Sequence, residues 1–128
     1  MHRLGDLQLR IMQILWRGGP RTVADVQKQL ADNLAYTTVA TMLRKMENRG
    51  LVCHNEQDRK FVYEPVVSSE LVTRNMTGDL IDRLFAGNLP AVVNHLLTSR
   101  EVSGDELDIL ENLIQEHRRA GGGTESSP

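Results

Sequence analysis

Between Ala35 and Gly50 the sequence sets out hydroxyls, an amide and cations at helical spacing: Thr37, Thr38, Thr41, Arg44, Lys45, Asn48 and Arg49. At about 100° per residue, Thr37, Thr41, Arg44 and Asn48 share one face, flanked by Thr38 and Lys45. Val39, Met42, Leu43 and Met46 fall in a narrow arc on the other. Glu47, the only carboxylate of the stretch, lies off to one flank. Hydroxyls and an arginine on a carboxylate-free face can meet base edges in a DNA major groove, while neighbouring cations meet phosphates. Thr37, Thr38, Thr41 and Arg44 are therefore candidate base readers, and Lys45, Asn48 and Arg49 candidate phosphate contacts. The alternative for this helix alone is an ordinary solvated face.

Other chemistry is thin. No Gly-rich phosphate loop, carboxylate pair or nucleophile signature is present, so an enzyme is not expected, nor is a cofactor. Cys53-His54 could be half a metal site or a redox switch, but adjacent strand residues point to opposite faces. His2, His95 and His117 have no ligand spacing that would complete it, so no metal is expected. One cysteine excludes an internal disulfide and fits a reducing cytoplasm. Aromatic residues make up 4% of the chain, too few for platforms that stack RNA or single-stranded bases. The start Met1-His2-Arg3-Leu4-Gly5-Asp6 is not a secretory signal, and no apolar run approaches a membrane span. A soluble cytoplasmic protein without a membrane partner is the expectation.

The elements that must position the helix can be read on either side of it. Leu7, Ile11, Ile14 and Leu15 make a helical stripe from Asp6 to Arg17, stopped by Gly18-Gly19-Pro20. Thr22-Val23-Ala24-Asp25 has capping-box spacing, with Asp in place of the preferred Glu, and opens a second helix on Val23, Val26 and Leu30. Asp32-Asn33-Leu34 reads as the loop before the third helix, which Gly50 stops. The second and third helices thus have the outline of a helix-turn-helix. Leu51–Asn55 and Phe61–Glu64 read as strands, with Pro65 closing the second. The polar tip Glu56–Lys60 between them carries Arg59 and Lys60, candidates for flanking phosphates. Three helices followed by a basic-tipped hairpin is the order of a winged helix.

The second half is helical. Ser68 or Ser69 caps a helix with Leu71, Val72, Met76, Leu80, Ile81, Leu84 and Phe85; Gly87-Asn88 breaks it. Leu89, Val92, Val93, Leu96 and Leu97 follow, with Pro90 near the helix start. Ser103-Gly104-Asp105-Glu106 is a capping box leading into Leu107, Leu110, Leu113 and Ile114. Three amphipathic helices cannot bury this surface among themselves. Pairing with a second copy through Leu80, Leu84, Leu89, Val93, Leu97, Leu107, Leu110, Leu113 and Ile114 would bury it and give the two-fold symmetry of half-site recognition. Docking back onto the winged helix is the alternative. Charge divides likewise: residues 1–67 carry ten Lys/Arg against seven Asp/Glu, residues 68–128 five against ten. The expected organisation is a winged-helix DNA-binding domain at 1–67, a helical dimerisation domain at 68–120 and a disordered tail at 121–128. The fold class is mainly α: a winged helix-turn-helix of three helices plus a β-hairpin wing, then a small all-helical dimerisation region.

These residues also resemble the penicillinase-repressor and methicillin-resistance-repressor family of bacterial transcription regulators. The resemblance lies in Leu4-Gly5-Asp6-Leu7, Ile11-Met12 with Leu15-Trp16, and Thr22-Val23 with Val26. It is strongest from Ala35-Tyr36-Thr37-Thr38-Val39 through Thr41, Leu43, Lys45 and Arg49-Gly50-Leu51-Val52 to Phe61-Val62-Tyr63-Glu64-Pro65. It continues more weakly through Asn94 and Ser103 to Leu113. It implies a homodimeric repressor of pseudo-palindromic operators, with double-stranded DNA as partner, in antibiotic-response or envelope-stress genes. Thr38 and Thr41 fall on the recognition-helix threonines, Lys45 on the usual Arg and Arg49 on the basic position before the Gly. Arg10 stands where the family often has Glu, Asn48 where it often has Lys, and Arg44 at a variable position. The resemblance also implies a regulatory protease or sensor, since induction in this family can involve cleavage between an Asn and a Phe. The matching position is Asn94-His95, and histidine suits an apolar specificity pocket poorly. Related copper-responsive repressors carry a C-terminal cysteine cluster, absent from this sequence. A protein-interaction module and a metal- or redox-responsive regulator remain the alternative functions.

Overall fold

The computed structural model describes residues 4–31 and 33–121. Three helices, α1 (Asp6–Gly18), α2 (Val23–Gln29) and α3 (Tyr36–Asn48), are joined to a sheet of β1 (Arg21–Thr22), β2 (Val52–Gln57) and β3 (Lys60–Pro65). Then come α4 (Ser69–Phe85), α5 (Leu89–Ser99) and α6 (Gly104–Gly121). This is a winged helix-turn-helix followed by an all-helical region. Gly121, the first residue of the expected tail, is the last of α6; residues 122–128, with residues 1–3 and Asp32, lie outside the described residues.

The N-terminal core is a single cluster. Ile11, Met12 and Leu15 from α1, Val23 and Val26 from α2, and Val39, Leu43 and Met46 from α3 meet Leu51, Val52 and Tyr63 of the wing. Met42, at the edge of the arc predicted to face inward, is only partly buried, and its Sδ accepts from Gln8 Nε2 at 3.5 Å. The start of α2 is the predicted capping box: Thr22 Oγ1 accepts from the Asp25 N–H at 3.1 Å, and Asp25 Oδ2 accepts from the Thr22 N–H at 3.2 Å.

The hairpin runs further towards its tip than the sequence pattern indicates. Strand pairing extends from Val52 opposite Pro65 to Gln57 opposite Lys60, leaving Asp58-Arg59 as a two-residue turn. Strand β1, two residues long, pairs with the other edge of β3, placing Arg21 opposite Tyr63 and Thr22 opposite Val62. Two residues cannot display a period-two pattern, so this strand has no sequence signal of its own.

The first turns of α4 complete the N-terminal core. Val72 is 1% exposed within the core cluster, Met76 packs against it, and Trp16 Nε1 donates to the Val67 carbonyl at 2.9 Å. Beyond Met76 burial fails, and neither α5 nor α6 has a buried residue.

The Asp25 carboxyl sits below its ordinary value of 3.8, chiefly because it accepts from the Thr22 backbone N–H. A depressed folded-state pKa contributes stability above the unfolded value, and that contribution is lost as pH falls through the folded value. Thr22→Ala is expected to cost ~1 kcal/mol of unfolding free energy in urea titrations at neutral pH. Asp25→Ala should also destabilise at neutral pH, with its gap to the wild type closing below about pH 4; a constant gap would count against the capping role.

Candidate nucleic-acid interface

The outward face of α3 exists because its inward face is fully committed. Val39, Leu43 and Met46 are 0% exposed, which leaves Thr37, Thr38, Thr41, Arg44, Lys45 and Asn48 exposed. The helix ends in a hydrogen-bonded reversal: the Gly50 N–H donates to Glu47 O and the Leu51 N–H to Met46 O, both at 3.0 Å. Gly50 takes φ +80 there, the left-handed conformation that a Schellman turn demands. Leu51, 0% exposed, drops back beneath the helix and delivers the chain straight into β2.

The structure sorts the candidate residues into three places. Thr37, Thr38, Thr41 and Lys45, with Met42, line a shallow depression on the outer face of α3. Arg44 lines a deeper cleft between α3 and the wing, together with Arg59, Lys60, Tyr36 and Phe61. Arg49 is at neither: as the C-cap of α3 it donates from Nη1 to Gln8 Oε1 at 2.7 Å, at the α1 side. Asn48 is exposed on the last turn. Residue spacing alone could not separate Arg44 from Arg49, because the partner that decides the difference is forty-one residues away in the chain. Tyr36 and Phe61, 52% and 48% exposed at the same cleft, were not among the expected site residues. Their exposure is visible only once the helix and wing are docked.

Glu47 is held off the outer face. Its Oε1 and Oε2 lie 2.7 and 2.9 Å from His54 Nδ1 on β2, and the His54 ring packs at a tilt against Phe61 with centroids 4.3 Å apart. This contact ties the last turn of α3 to the base of the wing. On the other side of β2, the Cys53 Sγ–H donates to Glu64 Oε1 at 3.9 Å. The thiol is pushed above its ordinary value, first by burial and then by the Glu64 and Glu47 carboxylates, the opposite of what a reactive thiolate requires. Among the described residues no three His, Cys, Asp or Glu side chains gather to hold a metal ion, and no helix is long and apolar enough to cross a membrane.

The sequence matches the penicillinase repressor family over residues 4–116. The chain belongs to that family. Its members are DNA-binding transcriptional repressors rather than enzymes. One relative, the transcriptional regulator BlaI of Mycobacterium tuberculosis, is 36% identical over 89% of this chain and 84% of its own length. The penicillinase repressor of Bacillus licheniformis is 25% identical over 91% of this chain and 92% of its own. A MarR family protein from Bacillus stearothermophilus shares the fold, with a TM-score of 0.51 at 18% identity over 93% of this chain and 76% of that one.

The wing tip carries a strain that packing does not explain. Asp58 and Arg59 adopt φ +50 and +66, the mirror-image turn that matches hairpin twist and normally takes Asn-Gly. Arginine in that conformation costs roughly 1–2 kcal/mol relative to a residue without Cβ strain. Arg59→Gly is therefore expected to raise stability in urea by up to ~1 kcal/mol while removing a wing cation. A loss of stability would show that Arg59 contributes to the fold itself.

Proposed function

We propose that the chain is a cytoplasmic, homodimeric repressor that binds pseudo-palindromic operators controlling antibiotic-response or envelope-stress genes. The observation that carries this reading is the pairing of a carboxylate-free outer face on α3 with Arg44, Arg59 and Lys60 around the adjoining cleft, in a member of a repressor family. Thr37, Thr38, Thr41 and Arg44 would read bases, and Lys45, Asn48, Arg49, Arg59 and Lys60 would contact phosphates. Arg49 would have to share itself between Gln8 and the backbone.

The dimer reading rests on unburied apolar surface. Leu80, Leu84, Leu89, Val93, Leu97, Leu107, Leu110, Leu113 and Ile114 are all exposed, as are Leu96 at 46% and Ile109 at 59%. Only the start of α4 packs on the N-terminal core, which supports pairing with a second copy over docking back onto the winged helix. Large apolar side chains left exposed on each of α4, α5 and α6 support an interface there. We place the functional division at Val67, with residues 68–120 as the dimer half. Asn94 and His95 are exposed on α5 (Leu89–Ser99), and a protease would have to open that helix to cut between them. Release from DNA without such a cut is the reading we favour, since His95 is a poor substitute for an apolar residue at that position.

With Lys45, Arg49, Arg59 and Lys60 from each copy, operator affinity should fall with salt at a log–log slope of roughly −5 to −8. Removing Arg59 and Lys60 together should flatten the slope and weaken all sequences about equally; changed base preference at constant slope would contradict the wing's assignment. A chain truncated after Thr77, which keeps Val72 and Met76 in the core, should fold but bind a full operator far more weakly. Equal affinity for the truncated and intact chains would remove the dimer.

A further inference from the structure

The cleft between α3 and the wing is closed on a third side by the start of α2. It has a volume of about 520 Å³ and a floor formed by Tyr63, Val23 and Ala40, the first two only 2% and 5% exposed. Tyr36 and Phe61 line the same cleft, and the His54 ring packs against Phe61 with centroids 4.3 Å apart. Arg44, Arg59 and Lys60 contribute three cations, and among the described residues no carboxylate lines the cleft. The Tyr63 phenol, raised above its ordinary value foremost by burial, stays protonated and neutral at the bottom. A duplex laid across helix and wing meets exposed cations but is far too wide to descend between α2, α3 and β3. Its phosphates would leave the apolar floor unfilled.

A half-open cleft with an apolar floor, aromatic rings and three cations in its lining has the features of a small-ligand site rather than of a flat backbone contact. A planar ring would lie between the floor and the aromatic side chains, and a carboxylate would take paired hydrogen bonds from a guanidinium. We propose that this cleft binds a small aromatic carboxylate, and that ligand and operator exclude one another because both use Arg44, Arg59 and Lys60. The proposal rests, for its regulatory half, on the reading of those residues as DNA contacts. It gives a route to derepression with the chain intact: a ligand that binds only the DNA-free protein lowers operator affinity in proportion to its occupancy of the site.

The test is a titration of the full-length, ¹⁵N-labelled protein with 2-naphthoate, with neutral 2-naphthamide as control, beside operator-binding measurements at each ligand concentration. Saturable amide shifts are expected at Val23, Ala24, Ala40, Arg44, Lys60 and Phe61, with at least tenfold weaker binding of the amide. Ala24→Leu, which fills the cleft from an exposed helix position, and Phe61→Ala should each weaken naphthoate binding tenfold or more. Operator affinity should fall as naphthoate saturates. Shifts confined to the exposed Leu and Ile residues of α4–α6, equal binding of naphthamide, or naphthoate occupancy without loss of operator affinity would each overturn the proposal. Tight operator binding with no naphthoate shifts in the cleft sinks the ligand site alone. Naphthoate binding in the cleft by a protein that binds no operator supports the site and sinks the DNA reading.

Discussion

The burial of Val39, Leu43 and Met46 governs the rest of the N-terminal half. Fully burying an aliphatic side chain of this size is worth about 1.5–3 kcal/mol, more than a surface hydrogen bond contributes. Three such burials along one stripe fix the rotation of α3 about its axis, so the threonines and cations opposite are oriented by the core and not by contacts of their own. The Gly50 reversal extends the constraint: it buries Leu51 directly after Met46 and starts β2 at Val52. The helix and the wing are therefore placed by one packing arrangement, and the cleft between them is its by-product.

The C-terminal half follows the opposite logic. Its helices are well capped, by Ser68 for α4 and Asn88 for α5, with Ser103 and Glu106 bonded to each other's groups at the start of α6. They bury almost nothing within one chain, however. Local signals are sufficient to form these helices, while tertiary packing is left for another surface to supply. The charge distribution fits that division, since the acidic excess lies in residues 68–128 and the basic excess in residues 1–67, where the candidate DNA contacts are. A carboxylate-rich half set apart from the basic face avoids repelling a polyanion.

Much of this was legible from residue order because it depends on local rules. The 3.6-residue period gave α1, α3 and the later helices, and the caps at Thr22 and Gly50 marked ends that the structure places within a residue or two. What was not legible depends on distant partners. Strand β1 exists only because β3 lies beside it, and the hairpin reaches Gln57 and Lys60 because the mirror-image turn at Asp58-Arg59 tolerates two residues that carry no glycine signal. Val72 looks like any other apolar residue of α4, yet it belongs to the N-terminal core. At the candidate interface the helix face was readable residue by residue. The bond of Arg49 to Gln8 and the meeting of Tyr36 and Phe61 with Arg44 required the folded chain.

In the proposed function, two copies would present α3 to successive major grooves on one side of a duplex. Hydroxyl-radical footprinting of the operator by the full-length protein tests it most directly. Two protected patches centred about one helical turn apart, roughly 10 bp, or a whole multiple of that, and lying on the same face of the DNA, are the predicted result. A single patch, or protection spread evenly around the helix, would contradict it.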